Sequence, residues 1–563
     1  MDYLSSFSLY GSGLPQNHAS QAALPSAILG IIFHLTIASR IQMEYFVKPL
    51  LAVASLAALT IAFVYLSIGT SILGTTARIC IIGGFFNAGL FSSMVIYRLF
   101  FHRLRKFPGP LGSKVSRVFD ALRAAKHVRY NKELVQLHAE YGDFIRTGPR
   151  ELCIVRASAV PTIYGPGTKC RKGTWYAQSC TNHDKSSVQM SVDFEKHKLR
   201  RRAWDKAFSV KALHTYEPRI KVLVDQLVTQ ISKRGVLDVS AWSNYLTYDV
   251  MGEIGFSKDF GCVSNGAEHA ATKAIHDHLI ALSIGAHIPW LLNLASYIPG
   301  ITAGYADFFN YCEVQVNAKL KTLDLSKHPQ DIMTWLLKPV VEKDASASPT
   351  KESLSDDARL LIIAGSDTTA STLAQTLFFL AKHPAIFQKL QGLVDAAMPS
   401  PSDWTYEKTR SITYIDNIID ESLRLKPAVT SGFYRETPPQ GIQVDEQHIP
   451  GNTVVFVPTQ MIQTDPRYWQ EAAEFVPERF GERRAEMGTD KSPYMPFGLG
   501  AFGCSGKNMA IATLRITLCR VAQEFDISFA SEEKDIEKFD KEPIDTISTC
   551  LQPLNLRFTP RKR

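Results

Sequence analysis

Ten residues near the C-terminal end constrain this chain more than any others: Phe497-Gly-Leu-Gly500-Ala-Phe-Gly-Cys504-Ser-Gly506. One cysteine lies among four glycines, after Pro496 and ahead of a helical pattern from Lys507 to Val521. Glycine takes φ > 0 in a tight loop and lets backbone run close to a flat, bulky ligand. A thiolate near a helix N-terminus is favoured by the helix dipole and by nearby N–H groups. These are the needs of a sulfur that serves as axial ligand to a flat metal-bearing group. The bland alternative is a buried structural cysteine in a glycine-rich loop.

A second segment carries chemistry of its own. Ala364-Gly365-Ser366-Asp367-Thr368-Thr369 interrupts a long apolar helical pattern from Ser355 to Ala381. Thr368 is placed to bond back to the carbonyl of Ala364, four residues earlier, which loosens a helix and makes room for water. Gly365 permits close approach by a ligand. A carboxylate beside a hydroxyl then forms a path for proton delivery.

The two segments resemble the signatures of the cytochrome P450 family, F-x-x-G-x-[R/H]-x-C-x-G and A-G-x-[D/E]-T-[T/S]. Phe497, Gly500, Cys504 and Gly506 fall on the fixed positions of the first. The resemblance implies haem b as cofactor, with Cys504 as the metal ligand and Phe497, Gly500 and Gly506 shaping its loop. It implies that Asp367 and Thr368 are the catalytic proton-delivery pair, with electron push from the thiolate on the opposite side. Glu421 and Arg424 form E-x-x-R, and Phe475-Val-Pro-Glu-Arg479-Phe480 is similar to the family's P-E-R-F run. The resemblance makes Glu421, Arg424 and Arg479 a buried charge network that maintains the fold. His197 and Arg201, four apart on one helix face, match a W/H-x-x-x-R element, and Arg435 matches a strand arginine. All three are implied to bind the haem propionates. One departure stands out: two residues before Cys504, where Arg or His is usual, this chain has Phe502. A charge-assisted bond is missing there, and other cations are expected to compensate.

The first hundred residues read differently. Apolar stretches run from Leu24 to Ala38, Leu50 to Gly74 and Ile79 to Tyr97. The second and third, about 25 and about 19 residues, are long enough to cross a bilayer. Arg98, His102, Arg103, Arg105 and Lys106 follow the third, which puts that flank in the cytosol. Three spans would then leave the N-terminus lumenal; a single anchor with two membrane-associated helices is the other arrangement. Phe107-Pro-Gly-Pro110 must end the last helix. The expected division is a membrane anchor over 1–106 and a haem-thiolate catalytic domain over 107–563, similar to fungal microsomal members with several N-terminal spans, such as the tryprostatin hydroxylase type.

Beyond the anchor, helical patterns dominate: Asn131 to Tyr141, Phe194 to Phe208, Thr215 to Lys233, Ala267 to Ser283, Ile386 to Ala397, Ile415 to Leu425 and Asn508 to Phe525. Short strand-like runs lie at Phe144 to Thr147, Glu151 to Val155, Val454 to Pro458 and Leu554 to Phe558. This is a mostly α, α+β fold, and the resemblance implies the cytochrome P450 fold. A net charge of +8 over 563 residues suggests no nucleic-acid role. Nine scattered cysteines without a C-x-x-C pair read as reduced thiols on the cytosolic side.

The resemblance implies a pocket lined from Thr174 to Met190, Leu361 to Thr368, Val429 to Phe433 and Thr549 to Leu551, largely apolar and suited to a lipophilic small molecule. No flavin or nicotinamide motif accompanies the haem domain, so NADPH-cytochrome P450 reductase, with cytochrome b5 as an optional second donor, is the implied partner. Lys198, Arg200, Arg202 and Lys206 offer it a basic docking face, or form a plain solvated helix face. The expectation is an endoplasmic-reticulum monooxygenase with its catalytic domain in the cytosol, a tailoring enzyme of fungal secondary metabolism. Oxidative ring expansion, desaturation or rearrangement uses the same motifs. A non-enzymatic membrane haem protein is the reading from another class, and Asp367 with Thr368 speaks against it.

Overall fold

The computed structural model describes residues 16–180, 182–298, 300 and 303–562. The chain divides into two compact units, Met1–Lys106 and Phe107–Arg563. The lumenal N-terminus expected above falls on residues 1–15, outside the described residues.

In the first unit, helices Gln16–Phe33, Val47–Ser67 and Ile72–Ile96 are each extended or joined by short turns. Three segments, Gln21–Ala38, Val47–Ser67 and Ile72–Phe101, are long and apolar enough to cross a membrane. The first and third pack closely because glycines meet backbone: a Cβ on Gly30 would lie 2.1 Å from Phe86 O, and one on Gly89 would lie 2.0 Å from Ala27 O. Small residues let helices approach this way in lipid, where apolar burial alone gives no preference for a neighbour. The boundary between the second and third helices differs from the sequence expectation. The second ends at Ser67, Gly69 turns the chain at φ +81°, and the third begins at Ile72. Arg78 therefore lies inside a helix. Its guanidinium reaches back to the turn, donating to Thr70 Oγ1 at 3.0 Å and resting 4.8 Å over the Tyr65 ring, so the charge is drawn toward the helix end.

In the second unit, the Lys351–Lys382 helix is the axis. It starts at a reciprocal cap in which Thr350 and Ser353 satisfy each other's backbone N–H groups. Leu361, Ile362, Leu373 and Phe378 are buried along it. The Val239–Phe256 helix packs on one side, where Gly365 is essential: a Cβ there would meet Met251 Sδ at 2.2 Å. The helices Phe194–Ala207, Val210–Arg234, Thr413–Leu425 and Lys507–Glu524 complete the core.

A five-stranded sheet flanks this bundle in the order Phe144–Gly148, Glu151–Ile154, Val454–Phe456, Arg435–Glu436, Arg171–Lys172. The last two strands pair with Lys172 opposite Arg435, a register that matters below.

The Glu421 network is fully buried. Arg424 donates to Glu421 through Nε at 2.7 Å and Nη2 at 2.8 Å, Arg479 Nε donates at 3.1 Å, and Val476 N at 2.9 Å. Trp469 covers both guanidinium groups, 5.2 Å from Arg424 and 5.9 Å from Arg479. The expected helix from Ala267 to Ser283 is broken instead, into Ala270–His276 and Leu279–Gly285. His276 at the break turns to two carboxylates rather than continuing the apolar face.

Candidate functional site

The Cys504 loop is held by its own backbone. Cys504 N donates to Phe497 O at 2.8 Å, and Gly503 N to Gly500 O at 3.0 Å. Gly498 and Gly500 sit at φ +64° and +63°. A Cβ on Gly500 would meet Tyr164 O at 2.6 Å, so this glycine seats the loop on neighbouring backbone and lies outside the cavity lining. Gly506 caps the Lys507–Glu524 helix, leaving Cys504 just ahead of its N-terminus. Burial pushes the Cys504 thiol up, and the N–H groups of Gly506 and Lys507, with Arg201, act in the opposite direction. Those donors favour the thiolate once a metal displaces the proton.

Cys504 opens onto a cavity of about 900 Å³. Phe497, Phe502 and Gly506 line the same side, and Ala364, Gly365, Asp367 and Thr368 of the long helix also face it. Thr368 Oγ1 donates to Ala364 O at 2.7 Å, as its spacing implied. The helix nonetheless continues unbroken through this turn. Gly365 lines the cavity, and the space a Cβ would need there belongs to Met251, so this glycine also serves helix packing.

His197, Arg201 and Arg435 are brought together at one wall of the cavity, and Lys172 joins them. The strand register sets Lys172 beside Arg435. Phe502 is their common surface: Lys172 Nζ is 5.2 Å from its ring centroid, Arg435 Cζ 5.0 Å, and the His197 ring 4.9 Å. Cations on an aromatic face are attracted by its quadrupole. Phe502 thus gathers the positive charge that it does not itself supply. Lys172 was missed in the sequence because a lysine in a two-residue strand carries no pattern. Its ammonium donates to the carbonyls of Val188 and Gln189. Arg201 donates to Asp205 at 2.7 Å and to Gly503 O at 2.7 Å. Burial, then Arg435, Arg200 and Arg201, holds Lys172 well below the usual lysine range. Burial, then Lys172 and the arginines, pushes His197 down to about 3. A cluster that opposes its own charging is a site for an anion.

These residues fit haem. The cation cluster suits its carboxylates, the Phe502 wall lies beside that cluster, and the thiol suits its metal. Among the described residues no three His, Cys, Asp or Glu side chains gather to hold an ion.

Asp367 is tied to partners that the sequence did not reveal. Tyr248 OH donates to Asp367 Oδ1 at 2.6 Å, and His276 Nε2 lies 3.4 Å from the same oxygen. His276 Nδ1 meets Glu268 Oε1 at 2.5 Å. Burial disfavours charging His276, but its bonds to Asp367 and Glu268 outweigh that and raise it to about 10. A lone histidine in a helical segment gives no sequence signal of this bridge.

Two further expectations are corrected. Arg200 is buried, donating to Asp357 at 2.8 Å and to Ser186 O at 2.9 Å, so Lys198, Arg202 and Lys206 are left as the exposed basic residues. The C-terminal wall of the cavity is Thr546, Ile547 and Ser548 rather than Thr549 to Leu551, because the hairpin between strands Ile544–Thr546 and Ser548–Cys550 turns at Ile547. The segments Thr174 to Met190, Leu361 to Thr368 and Val429 to Phe433 all contribute lining residues.

A family profile described as Cytochrome P450 matches residues 108–558. Cytochrome P450 monooxygenase orf5 of Eupenicillium brefeldianum is 36% identical, covering 87% of this chain and 98% of that protein. Cytochrome P450 monooxygenase FCK2 of Fusarium pseudograminearum is 34% identical, over 84% and 85%. Tryprostatin B 6-hydroxylase of Aspergillus fumigatus is 30% identical, over 80% of each chain. The crystal structure of the cytochrome P450 CYP102L1 superposes with a TM-score of 0.64 at 20% identity, covering 77% of this chain and 98% of that one.

Proposed function

The chain belongs to the cytochrome P450 monooxygenase family, and from that premise we propose that it inserts one oxygen atom from O2 into a lipophilic small molecule, as a tailoring step of fungal secondary metabolism. The observation that carries this reading is the shared cavity of Cys504 and Thr368, with Lys172, His197, Arg201 and Arg435 gathered on its wall. Haem, when bound, supplies the oxygen activation and the electron chemistry. The protein's residues do the rest. Cys504 is the metal ligand, with the N–H groups of Gly506 and Lys507 supporting negative sulfur. Lys172, His197, Arg201 and Arg435 hold the propionates. Phe497, Gly500 and Gly506 fix the loop.

Asp367 and Thr368 move protons. The Thr368 hydroxyl donates to Ala364 O and keeps its lone pairs for a proton arriving from the protein side, to be passed into the cavity. Asp367 is held between Tyr248 and His276, and Glu268 on the outer side of His276 is partly open to solvent. His276, charged between the two carboxylates, can release its Nε2 proton toward Asp367 by way of the Tyr248 hydroxyl, which lies 2.9 Å from Nε2 and 2.6 Å from Asp367 Oδ1, and is then reprotonated at that same nitrogen from solvent. The apolar first unit serves as the membrane anchor, with the catalytic domain on the cytosolic face of the endoplasmic reticulum. Electrons come from NADPH-cytochrome P450 reductase, which the exposed Lys198, Arg202 and Lys206 suit as a docking face.

The test is expression in a host lacking the activity, with a panel of lipophilic substrates, reductase, NADPH and labelled dioxygen. Products one labelled oxygen atom heavier support the reading. Oxidised products without new oxygen would move the assignment to desaturation or rearrangement.

A further inference from the structure

Away from the thiol, among the described residues, one cation on the cavity lining has most of its bonding capacity unspent. Arg359 lies on the Lys351–Lys382 helix and lines the cavity. Its Nε donates to Asp356 Oδ1 at 2.6 Å, and its guanidinium carbon sits 5.5 Å over the Tyr305 ring. A guanidinium carries five N–H donors in a rigid fork. Among the described residues, the two Nη nitrogens of Arg359 have no hydrogen-bond partner.

The neighbours hold this fork in place without neutralising it further. Asp356 is buried, and its other oxygen accepts from Ser187 N at 2.6 Å. Tyr305 OH lies 3.5 Å from the oxygen that Arg359 uses. Asp367, the other carboxylate on the lining, is engaged by Tyr248 and His276. Lys185 is paired with Glu352, and the remaining lining cations belong to the wall around Phe502. Arg359 therefore lines the cavity from a fixed mount with its Nη nitrogens unpaired among the described residues, and a guanidinium fork matches a carboxylate in bidentate fashion.

We propose that Arg359 is a substrate-anchoring residue and that the substrate is a lipophilic carboxylic acid. This rests on the monooxygenase reading and narrows its substrate class. Arg359 and Thr368 are nine positions apart on one continuous helix, or about 13.5 Å along its axis. The acid head is held at one end of that interval and the oxidised carbon lies at the other. Leu360, Leu361, Ile363 and Ala364 lie between them on the lining and suit an apolar body. Oxidation accordingly falls far from the carboxylate.

The test uses the full-length holoprotein in nanodiscs. Lauric, palmitic and naphthoic acids are each titrated against their methyl esters, following the Soret shift and, in parallel, the thermal shift. The expected result is that at least one acid binds wild type about tenfold or more tightly than its ester. Arg359→Met removes that preference and leaves ester affinity within about twofold, while Arg359→Lys, which keeps a cation beside Asp356 but loses the fork, retains part of it. Acids and esters binding wild type alike, or Arg359→Met keeping the preference, overturns the proposal. The carbon monoxide spectrum of the same samples separates the two readings. Absence of a thiolate-type band sinks the oxygenase assignment, and the thermal shifts, which need no haem signal, still decide the role of Arg359.

Discussion

Glu421→Gln is the sharpest perturbation of the fold that carries the site. The glutamate accepts four hydrogen bonds, two from Arg424, one from Arg479 and one from Val476 N. Glutamine keeps the volume, so no cavity forms, but it removes the carboxylate that both Arg424 and Arg479 bond to and turns an amide NH2 toward donors. Both guanidinium groups are 0% exposed, so water cannot replace the lost partner. Their remaining acceptors are backbone carbonyls: Gln463, Ala472 and Glu474 for Arg424, Gln470 and Glu471 for Arg479. Removing one partner of such a network costs about 3–5 kcal/mol, set against a net stability of roughly 5–15 kcal/mol. The assay is chemical denaturation of the holoprotein, followed by haem absorbance and by the fluorescence of Trp469, which stacks on both arginines. Lys185→Ala is the control. Its pair with Glu352 is half exposed, at 53% and 51%, and its loss changes stability by about 0–1 kcal/mol. A Glu421→Gln variant no less stable than the control would refute the view that this buried network holds the thiolate side together.

Further outcomes follow from the site. Lys172→Met should release haem to apomyoglobin roughly tenfold faster, through loss of one charge-assisted contact; an unchanged rate would mean that Lys172 does not replace the cation missing at Phe502. Thr368→Ala should keep substrate-induced spectral shifts but lose about 100-fold or more in product formation, measured by mass spectrometry; full activity would remove Thr368 from proton delivery. His276 has a folded-state pKa of about 10 against an ordinary 6.5, so its stabilising contribution is complete below pH 6.5 and is lost as pH rises toward 10. Unfolding free energies of wild type should fall across that window, and those of His276→Gln should fall less; parallel curves would contradict the charged bridge.

What the sequence made legible was local. Cys504 in its glycine run, the Thr368 back-bond and the E-x-x-R spacing depend on contacts within a few residues, and pattern alone locates them. The long apolar period of the central helix and the short strand-like run at Glu151 were readable for the same reason. What stayed hidden depends on residues far apart in sequence. Lys172 enters the cation cluster only because strand register sets it opposite Arg435. His276 reaches Asp367 across 91 positions, and Arg200 turns inward to Asp357 across 157, which removed it from the basic face. Gly365 lines the cavity, but that its missing side chain also makes room for Met251 of another helix could not be read from sequence. The Ala267 to Ser283 period is broken between helices Ala270–His276 and Leu279–Gly285, where His276 meets Glu268 and, from a distant segment, Asp367. The turn at Gly69 sat within an apolar run that hydropathy reads as one piece.

We propose that the sulfur of Cys504 binds haem iron. The reduced, carbon monoxide-treated difference spectrum of the full-length protein in membranes tests it directly, with Cys504→Ala alongside. A thiolate-type Soret band in wild type that disappears in the variant is the result expected here. A band of the imidazole type, or one that survives loss of Cys504, would contradict it.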